Sequence, residues 1–597
     1  MKSNMALDPN LSDPTLRRAA VEAACGRRPF DLLIENARIL DMVTGRQRKA
    51  DIGIVGALIA SVHAPDEKAE ASRRIDAAGA MVVPGLIDTH MHVESSMITP
   101  ATYSDRVLPK GVTTALWDPH ELANVAGLAG VDYALEAARA ATLRFLTLAP
   151  TCVPSAPGYE LSGGDFDADV IADLMARDDI HGAAELMTMQ PLLAGEDRVT
   201  GIVNAGLAAG KRVCGHGRGL VGRELSAYVA AGVETDHELT SADDLIARLE
   251  AGMTVELRGS HEHLLPEFAA AILALGLMPQ TLTLCTDDVF ADDLLNKGAL
   301  DQLMRTLIRE GLPPFWVYQA ATLNGASRIG RPDLGLIAPG KRADIVILSD
   351  IEDVRASMVV MNGALVASEG QICTPSAVTE RPAALSASVR TRDFVPDDFE
   401  IASNGSSARI TTLSKPRFPE WGEREVTIEN GHLQLPDDMI RMAVVNRHGQ
   451  NTPVRVAFME NWGNWRGSFA STVSHDSHNL TLFGRDPLDM AVAANALKAM
   501  DGGLVAVRDG AVIASVALPV AGLLSDQDLD AVAADFAAVR AATDSLVDWQ
   551  PPYLVFKALF GASLVCNKGP RLTDVGLVEV FDGIKLESSV LEGKAAR

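Results

Sequence analysis

Pro84-Gly85-Leu86-Ile87-Asp88-Thr89-His90-Met91-His92-Val93-Glu94-Ser95-Ser96 is the stretch on which the fold turns. The apolar run 81–87 reads as a buried strand, and it stops at His90 and His92. On a strand, the spacing i, i+2 sets both side chains on one face. Two neutral imidazoles aimed at one point make a metal chelate, imidazole being the commonest protein ligand. The other reading is a pair of packed or surface histidines, and the rest of the chain weighs against it.

Downstream, apolar strands alternate with helical patterns. The candidate strands are 81–87, 113–117, 144–148, 180–185, 212–215, 233–236, 253–257 and 281–285, with helices such as 132–141, 170–176 and 225–231 between them. Eight β-α units in about 250 residues predict an α/β fold, a (β/α)8 TIM-like barrel. An open doubly wound sheet would carry a glycine-rich phosphate loop after its first strand. The sequence has none there.

In such a barrel the C-terminal ends of all eight strands meet at one pocket. The first polar residues at those ends are His90 and His92, then Asp118-Pro119-His120-Glu121, Cys152, Glu185, His216, His237-Glu238, Arg258, and Asp287-Asp288. The pocket would hold His90, His92, His216, His237, Glu185 and Asp287 as metal ligands. Four imidazoles with carboxylates suit Zn, Fe or Mn, and no soft thiolate singles out zinc. Cys152, Cys214 and Cys285 near the rim read as small buried hydrophobes.

Short β-type runs at 31–40 and 51–55 return in texture at 340–348 and 359–366. These flanks predict a small β domain built from 29–80 and 336–376, interrupted by the barrel at 81–335. Residues 1–28 read as an N-terminal helical extension capped at Asp13-Pro14-Thr15. Residues 385–597 read as a C-terminal α/β domain. The 597 residues carry a net charge of −25, which excludes a basic nucleic-acid face and favours a neutral ligand over an anionic one. Six scattered cysteines with no C-x-x-C pair suit a reducing cytoplasm. No signal peptide and no membrane span are expected.

These residues resemble the amidohydrolase superfamily, and most closely its adenine deaminase branch. The resemblance rests on 85–96, Asp118-Pro119-His120-Glu121-Leu122-Ala123-Asn124-Val125, Cys152-Val153-Pro154-Ser155, Glu185-Leu186-Met187, Thr235-Asp236-His237-Glu238 and Cys285-Thr286-Asp287-Asp288. Ala470-Ser471-Thr472-Val473-Ser474-His475-Asp476-Ser477-His478-Asn479 adds to it. It implies two divalent metal ions, Mn or Fe foremost and Zn as an alternative. His90 and His92 would hold one, His216 and His237 the second, with Glu185 bridging and Asp287 on the first. Many binuclear relatives bridge with a carbamylated lysine, but this chain has no lysine between Lys110 and Lys211. A mononuclear version would use His90, His92, His216 and Asp287 and free His237 for substrate or proton transfer.

The activity implied is hydrolysis of adenine to hypoxanthine and ammonia. Hydroxide made available by the metal would attack C6, with Asp287 shuttling protons. His120, Glu121 and Glu238 are the further candidates for proton transfer, Glu238 equally a brace for His237. His120, Glu121, Cys152 and Ser95 are carried over as substrate-binding positions. The partners implied are adenine and water, and a homo-oligomer, a dimer, by resemblance. His475 and His478 are expected in a polar turn that packs the C-terminal domain, the second reading being a lid over the barrel mouth. One departure stands out. After Arg258-Gly259-Ser260 the chain reads His261-Glu262-His263, where smaller residues are expected. Those imidazoles would bind another ion, alter the pocket or lie on the surface. The alternatives to deamination are a cyclic amide hydrolase and a non-catalytic assembly subunit. The missing lysine and the Asp-Pro-His-Glu piece weigh against the first, and the full ligand set against the second.

Overall fold

A computed structural model describes residues 8–416, 418–450, 452–548 and 555–594. The run 81–87 is not one strand. Met81–Pro84 pairs antiparallel with Ile345–Asp350 and parallel with Leu32–Leu40. Leu86–Met91 (β1) opens a different sheet. Gly85 is where the chain changes sheets. A Cβ there would sit 2.2 Å from Thr113 Oγ1, so only glycine lets the two backbones pass this closely. The sequence run hid the break because both short strands are apolar.

Seven further strands follow: Val112–Trp117 (β2), Arg144–Thr147 (β3), Gly182–Leu186 (β4), Arg212–Gly215 (β5), Thr235–Asp236 (β6), Thr254–Arg258 (β7) and Leu282–Cys285 (β8). β1, β2 and β3 pair in parallel. A parallel bridge, Ala149 to Ala183, leads on to β4, which pairs with β5. The Glu234 amide donates to the Val213 carbonyl at 3.0 Å and carries the order to β6. β6, β7 and β8 pair in parallel. A bridge between Met91 and Asp287 then returns to β1. This α/β arrangement, in sequence order and closing on its first strand, is consistent with a TIM barrel. The helices between strands start where short polar side chains can accept their free amides: Asp167 caps Ala168–Met175 and Ser241 caps Ala242–Glu250.

Among the described residues, the strands on both flanks of this ring share one nine-stranded sheet. Beyond it lies a ten-stranded sheet, most of it antiparallel, covered by Pro487–Ala499 and Leu529–Leu546. This C-terminal region touches the ring through hydrogen bonds as well as apolar packing. The Ser525 amide donates to the Met97 carbonyl at 2.8 Å, and Asn479 Nδ2 donates to the Leu161 carbonyl at 2.9 Å.

Gly85→Ala should lower stability by about 1–3 kcal/mol, the usual cost of forcing extra volume into a close-packed site. Urea unfolding measures it. Adding Thr113→Ala should recover part of the loss, because two of the three atoms that a Cβ would meet first are Thr113 Oγ1 and Cγ2.

Candidate metal centre

Three buried aspartates clip the strand ends together. Asp88 accepts from the Thr286 amide at 3.0 Å and its hydroxyl at 2.6 Å, tying β1 to the end of β8. Asp118 accepts from the amides of His120 at 3.1 Å and Glu185 at 3.3 Å. Asp236 accepts from the amides of Gly217 at 3.0 Å and Glu238 at 2.9 Å, which fixes the residues beside His216 and His237. Arg248, fully buried, donates to Asp236 at 2.5 Å and to the Gly217 carbonyl at 2.6 Å. Burial pushes the Asp88 carboxyl up to about 7, against the hydrogen bonds from Thr286.

On this frame the six expected side chains converge. His90 Nε2 lies 3.6 Å and His92 Nε2 3.5 Å from Asp287 Oδ1. Glu185 Oε1 is 3.5 Å from His92 Nε2, while its Oε2 is 3.2 Å from His237 Nε2 and 2.6 Å from His216 Nδ1. His92 Nδ1 is 3.0 Å from the Asp118 carbonyl. A carbonyl only accepts, so Nδ1 carries the proton and Nε2 is left as the ligand atom. Asp287 has φ 57, a left-handed conformation, and its amide donates to the His90 carbonyl at 3.0 Å. That turns its carboxylate across the rim. Oδ2 is anchored by Arg258 Nη1 at 2.6 Å and the Ser260 hydroxyl at 2.9 Å.

The charges are interlocked. Burial alone would raise Glu185, yet His216 and His237 hold it well below the usual carboxylate range. Burial would likewise raise Asp287, and Arg258 holds it down. Burial lowers His237, but Glu185 and then Asp287 bring it up to about 9. Both ring nitrogens of His90, His216 Nε2 and His237 Nδ1 are buried without hydrogen-bond partners. Leaving such groups unpaired costs about 1–3 kcal/mol each. A divalent cation would take one ring nitrogen of His90 and Nε2 of His216. Four overlapping sets could hold one: His90, His92 and Asp287; His90, Glu185 and His237; His216, His237 and Glu238; and His92, Asp118, His120 and Glu185. The donors are nitrogen and oxygen only, which fits a borderline-hard divalent ion. They open on a cavity of about 780 Å3.

Residues 81–366 match the amidohydrolase family, and residues 417–583 match the adenine deaminase C-terminal domain. Adenine deaminase 2 of Rhizobium meliloti (strain 1021) is 55% identical over 585 residues, 98% of each chain. Adenine deaminase of Serratia proteamaculans (strain 568) is 46% identical over 568 residues, 94% of this chain and 95% of that one. The chain belongs to the adenine deaminase family of the amidohydrolase superfamily. Proteins of that superfamily bind divalent metals, and this adenine deaminase family member has the donors to do so.

The other expected site residues divide. His120 lines the cavity, its Nδ1 3.2 Å from Asp118 Oδ2 and 3.6 Å from Glu185 Oε1. Glu238 also lines it, paired with Arg218 and, at 2.7 Å, with Arg258 Nη1. Its partners are therefore two guanidiniums and, at 3.7 Å, His216 Nε2. Glu121, Ser95 and Cys152 lie behind the wall. Ser95 Oγ donates to Asp288 Oδ1 at 2.5 Å, with Glu121 Oε1 3.3 Å away. The Cys152 thiol donates to the Glu185 carbonyl at 3.2 Å, and burial pushes it up to about 12. It supports the strand that carries Glu185.

The expected polar turn is present at 475–477, and His475 and Asp476 on it line the cavity, so the C-terminal region also reaches over the strand ends. His478 Nδ1 accepts from the Ser474 amide at 3.2 Å, which puts the proton on Nε2, 3.5 Å from Glu121 Oε2. His478 thus packs beside Glu121, behind the cavity wall, and these two with His475 form a further group that could hold an ion. His261 is buried against Arg258, and with His263 it lines the cavity. Both imidazoles therefore belong to the pocket lining. Arg258, Arg218, Asp118, Asp236 and Asp476 were given no role from sequence. A signal existed for the aspartates: Asp88, Asp118 and Asp236 each stand one or two residues before a site histidine.

His90→Ala and His216→Ala should each reduce bound divalent ion, read by elemental analysis of purified protein. The drop should exceed the roughly tenfold affinity loss typical of removing an outer hydrogen-bond partner. Cys152→Ala should leave the metal content unchanged.

Proposed function

We propose that this chain catalyses hydrolytic deamination of adenine to hypoxanthine and ammonia. The observation that carries the reading is near-full-length identity to proteins named adenine deaminase, over a chain in which five of the six expected donors line one cavity and the sixth, His90, lies 3.6 Å from Asp287. We assign two divalent ions, Mn or Fe by preference and Zn as the alternative. His90 and His92 would hold one, His216 and His237 the other, with Glu185 between them and Asp287 on the first. The buried Cys152 and Cys214 thiols, both pushed up to about 12 by burial, offer no thiolate to compete.

When bound, divalent ions supply the Lewis acidity that lowers the pKa of a water from about 15.7 to roughly 7. The chain's own residues do the rest. Asp287 Oδ1 faces His90 and His92, where it can take the water's proton and pass it to the amine as that leaves. The pairs with Arg258 and Ser260 fix its orientation while it does so. His120 protonates the ring nitrogen next to C6 as aromaticity breaks, and regains a proton from the new C6 hydroxyl. Glu238 fixes Arg258 beside Asp287. Glu121 acts from behind, through the packing of His478 and Ser95.

The architecture proposed for this chemistry is a (β/α)8 barrel at 81–335, with the change of sheet at Gly85. It is flanked by a small β domain from 29–80 and 336–376 and closed by the domain proposed at 385–597; the extension proposed at 1–28 carries the helix Pro14–Ala24, and residues 1–7, 549–554 and 595–597 lie outside the described ones. All six cysteines are free, which supports a cytoplasmic setting. No helix among the described residues is long and apolar enough to cross a membrane.

Metal-loaded protein should release ammonia from adenine. Asp287→Asn should keep its fold by circular dichroism and lose turnover by about 10²–10⁴-fold. Near-normal rates in that variant would remove Asp287 from the proton path. Turnover of a cyclic amide without ammonia from adenine would overturn the assignment.

A further inference from the structure

The C-terminal region brings one carboxylate to the cavity that the reaction above does not use. Asp476 is 2% exposed and lines the cavity. Its Oδ1 lies 3.7 Å from His120 Nε2 and 3.7 Å from His475 Nδ1. Its Oδ2 is buried with no hydrogen-bond partner. No lysine or arginine among the described residues pairs with it. Its surroundings add negative charge instead: Glu160, pushed up to about 8 by burial and by Asp476 itself, is close by. A buried carboxylate oxygen without a donor is costly. Such an oxygen in a folded protein calls for a partner, whether water, an ion or a bound molecule.

Position says which donor. His120 stands between the metal centre and Asp476: Nδ1 faces Glu185 and Nε2 faces Asp476. Adenine has two kinds of N–H. The exocyclic amine is on C6, which must sit at the metal centre. The ring N–H belongs to the five-membered ring, at the end of the base opposite to C6. We propose that Asp476 accepts the hydrogen bond from this ring N–H. It is a substrate-recognition residue supplied by the C-terminal domain, and it selects free bases over purines substituted on the five-membered ring. A substituent there removes the donor and leaves the carboxylate unpaired. Sites built around such a hydrogen bond discriminate strongly against ligands that lack it.

The proposal rests on the adenine deaminase reading, and the test separates the two. Metal-loaded full-length enzyme and its Asp476→Asn and Asp476→Ala variants are assayed for ammonia release from adenine. Each is also assayed for competitive inhibition by hypoxanthine and by 9-methylhypoxanthine, which carries no N–H on its five-membered ring. Wild-type turnover of adenine establishes the reaction independently of Asp476. In wild type, 9-methylhypoxanthine should inhibit about tenfold or more weakly than hypoxanthine. In Asp476→Ala that gap should shrink below about threefold, with metal content unchanged. Asp476→Asn should raise KM by about tenfold and change kcat less. An undiminished gap between the two inhibitors in Asp476→Ala would overturn the proposal, because a purely structural role cannot depend on the methyl group.

Discussion

The whole site depends on buried carboxylates held among imidazoles and guanidiniums. Taking one ion out of water costs several kcal/mol even after relaxation. This rim buries Glu185, Glu238 and Asp287 together. Each persists as an anion because cationic or ligand-seeking nitrogens surround it: His216 and His237 at Glu185, Arg258 at Asp287, and Arg258 with Arg218 at Glu238. The arrangement cannot relax into a neutral one by protonating a carboxyl, since its neighbours hold the proton off. It can be completed by divalent ions, for which neutral imidazoles and ionised carboxylates are the right protonation states.

Such a rim tolerates little misplacement, and the fold supplies the rigidity. Asp88, Asp118 and Asp236 each accept two backbone or hydroxyl protons from neighbouring strand ends. The Tyr228 hydroxyl does the same between β4 and β5, donating to the Leu186 carbonyl at 2.8 Å and accepting from the His216 amide at 3.0 Å. These bonds hold backbone, so His90 and Glu185, on strands, and His92, His216, His237 and Asp287, one or two residues past strand ends, keep fixed positions. Because the clips sit one or two residues from the ligands, a shift in any strand end would move a ligand directly.

Much of this was legible because a parallel α/β ring turns a linear order into a circular one. Once strand ends were located by apolar runs, His90, His92, Glu185, His216, His237 and Asp287 had to face one pocket. What escaped was whatever depends on contacts between distant segments. Nothing in the spacing says that Asp476 lies against His120, 356 positions away, or that His478 reaches Glu121. The break at Gly85 escaped because hydrophobic periodicity cannot tell one strand from two short ones in line. Cys152 reads as a strand-end residue near the rim, but its thiol turns to the Glu185 carbonyl, behind the cavity wall. On a strand end, a shift of one residue exchanges the pocket face for the wall. Arg258 looked like an ordinary strand end because a lone arginine has no pattern. Its meaning came from the two carboxylates that meet it.

The net charge of −25 and the mixed lining of the cavity bear on what can enter. Carboxylates at Glu238, Asp287, Asp288 and Asp476 face it beside Arg218, Arg258, Lys568 and Arg571. An anion would be repelled by the protein as a whole and by the acids at the rim. A cation would compete for the carboxylates of the candidate metal centre. A neutral heterocycle meets neither barrier. It carries N–H donors at both ends, and its ring nitrogens accept. It can satisfy donors and acceptors of both signs while giving up little hydration of its own. The acidity that argues for solubility in the chain as a whole therefore acts at the mouth as a filter for charge.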